Sequence, residues 1–183
     1  LLAAEPKERE VAYERLWRRY VNLYPQRFGG PEALYKLESE SQKRIAKTGE
    51  KDLWYWLDQG RLHRMEGSRL WRTGAAKSSE RYYKNSRTAL DTALRMAPDN
   101  PWVFVGLAEY FLDPDNKKGG NKYKALDVMQ NAIRLSYEKV PAVLYAAAKA
   151  YLANGERTGC WIALQKTLEL SRRADYTNAF AQY

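Results

Sequence analysis

The sequence predicts an all-α protein built as an array of about four antiparallel helical hairpins. Helical periodicity dominates the chain, and the alternation typical of strands is nearly absent. An internal repeat also lies between Pro98 and Ser171. Each copy begins with two large residues, a small residue and an aromatic residue. After a glycine, a small, a large and a second small residue follow. Its two copies are Phe104, Leu107, Ala108, Phe111, Ala125, Met129, Ala132, and Leu144, Ala147, Ala148, Tyr151, Cys160, Leu164, Thr167. Such repeats are typical of stacked helix pairs, which usually present a surface to a partner.

Turn-forming residues divide the chain into about eight helical segments that pair in order into hairpins. Pro25 and the glycines of residues 29–31 separate the first two segments, and Gly49 ends the second. The predicted segments are residues 5–24, 31–48, 51–72, 78–97, 101–112, 120–137, 140–153 and 157–174.

Proline and glycine also mark the later boundaries. Pro101 and Pro141 each fit the first turn of a helix, where the missing N–H group costs nothing. Residues 113–120 contain a proline and two glycines and therefore form a loop. The pair Asn154-Gly155 is typical of a helix C-terminus and ends the seventh segment.

The segment over residues 51–72 contains two glycines on one face. Leu53, Trp56, Gly60, His63, Gly67 and Leu70 are three or four residues apart and form a single stripe. Glycine costs about 1 kcal/mol in a helix interior relative to alanine. We therefore expect a neighbouring helix to approach closely at Gly60 and Gly67, and we interpret His63 as a packed histidine.

The positive charge is concentrated in one part of the chain. The net charge is +9, and residues 1–97 contain 20 Lys and Arg against 13 Asp and Glu. Residues 98–183 contain 11 against 9. Within residues 61–87 the basic side chains are Arg61, Arg64, Arg69, Arg72, Lys77, Arg81, Lys84 and Arg87. A local positive field favours an anionic partner.

Residue usage argues against several kinds of site. Cys160 and His63 are the only residues of their types, which excludes an intramolecular disulfide and a zinc site with several histidines or cysteines. No phosphate-binding glycine loop or serine nucleophile motif is present. No apolar window is long enough to span a membrane. We therefore expect a non-enzymatic protein without a cofactor, a metal or a membrane span.

Residues 93–100, Ala-Leu-Arg-Met-Ala-Pro-Asp-Asn, resemble the join between two tetratricopeptide (TPR) repeats. The resemblance extends over residues 86–171 and implies a TPR-like right-handed array. One helical-repeat domain then covers residues 1–183, divided into a divergent hairpin 1–50, a TPR-like hairpin 51–97 with an insertion, repeats 98–138 and 139–174, and a tail 175–183. Extra residues near 112–119 and 64–85 depart from the family pattern.

The TPR resemblance implies a concave groove lined by the first helix of each hairpin. The matching positions are Arg18, Trp54, Leu57, Arg61, Arg64, Trp102, Val105, Glu109, Tyr145, Lys149 and Leu152. Aromatic walls and mostly basic polar groups favour a protein or peptide partner that carries acidic residues, because arginine can hold a carboxylate with two hydrogen bonds. The predicted function is that of an adaptor, scaffold or assembly factor.

Two alternatives stay open. Basic residues interleaved with Trp54, Trp71, Tyr82 and Tyr83 fit RNA binding, in which phosphates are neutralised and bases stack. Residues 119–122 and the helix over 144–151 are similar to bacterial extracytoplasmic TPR proteins associated with TRAP-type solute transporters. That similarity favours a periplasmic over a cytoplasmic location. The small residues at the start of the chain fit either the remnant of a cleaved signal peptide, which would agree with this location, or an arbitrary boundary. Self-association through the ends of a short array is a further possibility.

Overall fold

The computed structural model describes residues 52–171 and the single residue Ser39. Residues 52–171 form six α-helices and no β-strand. They are α1 (Leu53–Arg72), α2 (Ala76–Met96), α3 (Pro101–Leu112), α4 (Lys122–Leu135), α5 (Pro141–Ala153) and α6 (Arg157–Ser171). The all-α prediction is confirmed for this part of the chain. Apart from Ser39, the predicted hairpin 1–50, with Arg18, lies outside the described residues, and so does the tail 175–183.

Local capping residues explain where the helices begin and end. The Asp52 carboxylate accepts a hydrogen bond from the Tyr55 N–H at 2.8 Å, and Asn100 and Asn121 cap α3 and α4 in the same way. At the end of α5, Gly155 adopts a φ of +81°, and the next N–H donates to the Tyr151 carbonyl at 2.9 Å. This is a Schellman motif, for which glycine is the favoured residue.

The six helices form three successive pairs. The most extensive contacts lie within the pairs α1/α2, α3/α4 and α5/α6. Further contacts join α1 and α2 to α3, and α3 and α4 to α5. Each pair thus packs on the next in chain order. Helices α1 and α2 have 20 and 21 residues, whereas α3 and α4 have 12 and 14. The extra residues near 64–85 therefore lengthen the helices of the α1/α2 pair.

One hydrophobic core runs through the first five helices. Alanines that the repeat pattern places at close helix crossings are almost completely buried, namely Ala108, Ala125, Ala132 and Ala148. Helix α6 is different, because Ala163 is its one buried residue and Trp161 is 63% exposed. Cys160 occupies the position in the second repeat copy that the fully buried Ala125 occupies in the first, but it is only half-buried. Among the described helices, α6 is last in the stack and has a neighbour on one side only.

Helix α1 approaches α2 most closely at the two glycines of its stripe. A Cβ atom on Gly60 would lie 2.7 Å from Leu90 Cγ, and one on Gly67 would lie 3.0 Å from the Tyr83 ring. The buried hydroxyls of Ser86 and Ser79 donate to the carbonyls of these glycines, at 2.6 and 2.7 Å respectively. The predicted close approach is confirmed. His63 packs nearby against the Tyr82 ring, with 5.7 Å between the ring centroids.

Gly60→Ala should lower the free energy of unfolding by about 1–2 kcal/mol. The added methyl group lies within 2.8 Å of two atoms of the fully buried Leu90, so the overpacking cost falls in the upper part of the usual range, at about 2–3 kcal/mol. The higher helix propensity of alanine offsets about 1 kcal/mol of it. Urea unfolding followed by circular dichroism measures the change. Ser78→Ala, at an exposed position of α2, is the control. Equal stability of Gly60→Ala and the control would contradict the close contact.

The loop after α4 contains two consecutive residues with left-handed backbone. Tyr137 and Glu138 have φ values of +51° and +55°. The Glu138 N–H donates to the Ile133 carbonyl at 3.1 Å, so α4 ends in a Schellman motif with tyrosine where glycine is usual. The Tyr137 side chain is 74% exposed and contributes little packing. The conformation costs roughly 1–2 kcal/mol for a residue with a Cβ atom.

Tyr137→Gly should therefore raise the free energy of unfolding by about 0.5–1 kcal/mol, because glycine adopts this conformation without the steric cost. Thermal and urea unfolding measure the gain. Tyr123→Gly, which changes another exposed tyrosine in the first turn of α4, should instead destabilise the protein slightly, by up to about 1 kcal/mol, because glycine weakens a helix. A change in the free energy of unfolding with the same sign for both substitutions would contradict the backbone strain at Tyr137.

Candidate binding pocket

The loop between α3 and α4, residues 113–121, folds back onto α1 through two carboxylates. The Asp113 carboxylate accepts a hydrogen bond from Arg64 at 3.0 Å. Asp115 accepts from the Ser68 hydroxyl at 2.5 Å and from Arg72 Nε at 2.7 Å. These three donors lie on successive turns of α1. The extra loop residues that depart from the TPR pattern therefore hold the loop against α1.

The same loop reaches α2 and shapes its own turn. Lys118 pairs with Glu80 of α2 at 2.8 Å. The Asn116 side chain donates to the Tyr110 carbonyl at 3.1 Å and accepts from the Gly119 N–H at 3.0 Å. A Cβ atom on Gly119 would overlap the Tyr110 hydroxyl, so this turn needs glycine. The loop thus holds a fixed position against α2.

A cavity of about 680 Å³ lies between α2 and this loop, and we name it the basic pocket. Its size falls in the range of small-molecule binding pockets. Its basic lining residues are Lys77, Arg81, Lys84, Arg87, Lys117 and Lys118, and its acidic ones are Glu80 and Asp115. The rings of Trp71, Tyr83 and Tyr110 also line it.

Internal ion pairs neutralise both acidic groups of the basic pocket. Glu80 pairs with Lys118, and Asp115 pairs with Arg72, which lies outside the lining. Arg87 pairs with Asp91 one turn further along α2, at 2.9 Å. The remaining basic side chains form no ion pair with a carboxylate of residues 52–171: Lys77, Arg81, Lys84 and Lys117. The pocket therefore carries a net positive charge available to a ligand.

The aromatic residues supply the apolar part of the pocket. Tyr83 and Tyr110 are buried and meet edge to face, with ring centroids 6.2 Å apart. Burial, with a smaller effect of the Asp113 carboxylate, raises the pKa of Tyr83, so its hydroxyl stays protonated. Trp71 is half-buried, and the Lys117 ammonium lies 5.7 Å from its ring centroid.

The predicted groove residues divide into three groups. Trp54, Leu57, Trp102 and Val105 lie in the hydrophobic core, and Leu57 is completely buried. Arg61 is 5% exposed and approaches Glu109 at 3.8 Å, while Arg64 approaches Glu109 at 3.5 Å. Tyr145, Lys149 and Leu152 are exposed. The Lys149 ammonium lies 4.7 Å from the centroid of the Tyr145 ring.

Direct packing of α1 on α3 explains this division. The face of α1 that we expected to be open instead contacts α3, where Leu57 lies beside Gly106. On the same face Arg61 and Arg64 approach internal carboxylates. The core therefore contains four of the predicted groove positions, namely Trp54, Leu57, Trp102 and Val105. Partner binding by Tyr145 and Lys149, which are accessible, stays a prediction.

The sequence also contained a signal for part of the basic pocket. Lys77, Arg81 and Lys84 follow the spacing i, i+4, i+7, which places them on one face of α2. We counted them as basic residues but predicted the binding face on the first helix of each hairpin. The contribution of Lys117 depends on the fold-back of the loop, for which the local sequence carries no signal.

The described residues supply neither a metal site nor a membrane-spanning segment. No group of three or more His, Cys, Asp or Glu in residues 52–171 is placed to hold a metal ion. None of the helices α1–α6 combines the length and the apolar character needed to cross a bilayer.

Comparison with known proteins gives no match. Neither a protein-family model, nor a curated protein, nor a solved structure matches the chain. The TPR resemblance of residues 86–171 thus stays a prediction, beside an observed stack of helical pairs. A function is therefore proposed from the chain's own residues.

Ser68→Ala should destabilise the protein at neutral pH by about 1 kcal/mol and much less in acid. The Ser68 hydroxyl and, after it, the Arg72 guanidinium lower the pKa of Asp115 below its ordinary value of 3.8. A carboxyl whose pKa is lower in the folded state stabilises the fold above 3.8, and this contribution is lost as the pH falls through the folded-state pKa. Ser68→Ala removes one hydrogen bond to the charged form, worth about 1 kcal/mol.

Urea unfolding of the original protein and of Ser68→Ala at a series of pH values measures the difference. Ser78→Ala again serves as the control at an exposed position. A difference between the two proteins that does not change with pH would argue against the Ser68–Asp115 contact.

Proposed function

We propose that the chain is a non-enzymatic interaction module that holds an acidic segment of a partner protein in the basic pocket. The observation that carries the proposal is the set of four basic side chains without a carboxylate partner in residues 52–171, beside three aromatic rings in one cavity: Lys77, Arg81, Lys84 and Lys117. Arginine and aromatic side chains contribute most strongly to protein–protein binding energy.

The arrangement of charges supports the basic pocket over the predicted groove. Arg61 and Arg64 already contact Glu109 and Asp113, so an acidic partner would have to replace those carboxylates. In the basic pocket the internal acidic groups are neutralised separately by Arg72 and Lys118. An incoming carboxylate therefore meets unpaired positive charge without breaking an existing ion pair.

RNA binding is the competing function, because Trp71 beside Lys117 also fits a stacked base near a phosphate. The two functions differ in a measurable way. An RNA complex that neutralises many phosphates weakens steeply as salt rises. A protein complex anchored by a few charges and by apolar contacts depends on salt more weakly.

The triple substitution Lys77→Gln, Arg81→Gln and Lys84→Gln should weaken partner capture about tenfold or more. It removes three positive charges from one wall of the basic pocket, and each charge-assisted hydrogen bond is worth about 1.5–3 kcal/mol. All three side chains point away from the core, so the helicity and the stability should change little. Pull-down from nuclease-treated native extract, followed by mass spectrometry, measures the capture.

The matched control is the triple substitution Lys122→Gln, Lys124→Gln and Lys139→Gln, which removes equal charge at exposed positions outside the basic pocket. A protein retained by the original chain and by this control, but lost from the pocket variant, supports the proposal. Equal capture by all three chains would refute it. Capture that disappears on nuclease treatment would assign the basic surface to nucleic acid instead.

A further inference from the structure

The basic pocket has positive charge on two separate elements. Helix α2 supplies Lys77, Arg81 and Lys84, while the loop supplies Lys117. A ligand group between them can thus interact with cations from both elements. Like charges gathered around one cavity repel each other, and an anion with more than one negative charge relieves that repulsion best.

The Lys117 ammonium is held in position before any ligand binds. It donates to the Pro114 carbonyl at 2.8 Å and lies 5.7 Å from the Trp71 ring centroid. An ammonium group carries three N–H donors, so donors remain for a ligand. A cation positioned in advance loses less conformational entropy on binding.

Beside this cation, the half-buried Trp71 ring offers an apolar surface. Two aliphatic hydroxyls of the lining already donate hydrogen bonds within the protein, Ser79 to the Gly67 carbonyl and Thr88 to the Lys84 carbonyl. Positive charge and aromatic surface are thus the main features that the pocket offers to a ligand. These features suit a strongly charged group attached to a short carbon chain or ring.

We infer that the basic pocket binds a phosphorylated side chain of the partner segment; this inference rests on the proposed function. A phosphate monoester carries a charge of about −1.5 to −2 and three strong acceptor oxygens. Its three oxygens can accept hydrogen bonds from more than one of the basic side chains that line the cavity. A carboxylate has a single charge and two oxygens, so it can use fewer of these cations at once.

The test compares three short degenerate peptide libraries with phosphoserine, glutamate or serine fixed at the central position. Fluorescence polarisation measures their affinity for the full chain. The phosphoserine library should bind about tenfold more tightly than the glutamate library, and the serine library more weakly than both. Lys117→Gln should reduce the phosphoserine preference by several-fold, whereas the Lys122→Gln, Lys124→Gln, Lys139→Gln control should not change it. Circular dichroism verifies that each variant is folded.

The other outcomes separate this inference from the proposed function. Equal affinity for phosphoserine and glutamate libraries would overturn the phosphate specificity and leave the acidic-segment proposal standing. No affinity for either acidic library would overturn both. Inorganic phosphate that competes as strongly as the phosphorylated library would assign the pocket to a small free anion. Tighter binding of single-stranded RNA than of the phosphorylated library would assign it to a nucleic-acid backbone.

Discussion

The close packing of α1 on α2 is the contact on which the rest of the described structure depends. Gly60 and Gly67 allow the backbones to approach, and the hydroxyls of Ser86 and Ser79 bond to the two glycine carbonyls. The contact fixes the rotation of both helices about their axes. One face of α1 then points to α3 and the loop, while the face of α2 with Lys84 borders the basic pocket.

Ion pairs within the protein determine which basic side chains remain available to a ligand. The guanidinium of Arg64 contacts Asp113, and that of Arg72 contacts Asp115, so α1 uses its cations to hold the loop. The cations of α2 have fewer internal partners and face the cavity. The excess of basic residues over 61–87 therefore serves two purposes, since part of it stabilises the fold and part is available to an anion.

Within residues 52–171 the sequence predicted the helices well because their ends depend on local residues. Pro101, Pro141 and Gly155 fix boundaries through their own backbone chemistry, whatever packs around them. The candidate site was harder to predict, because burial depends on contacts between distant segments. Arg61 belongs to a helix face that could equally be open or packed on α3, and only the tertiary structure distinguishes these cases.

The tight turn at Gly119 limits which residues can replace this glycine during evolution. Any larger residue there would push against Tyr110, which forms part of the pocket lining, and against the Asn116 side chain that organises the loop. A glycine at this position is therefore linked to the shape of the cavity. In a distant relative, a glycine following an Asp-x-Asp-Asn loop of the same length would indicate a retained pocket, even where the surface lysines have been exchanged.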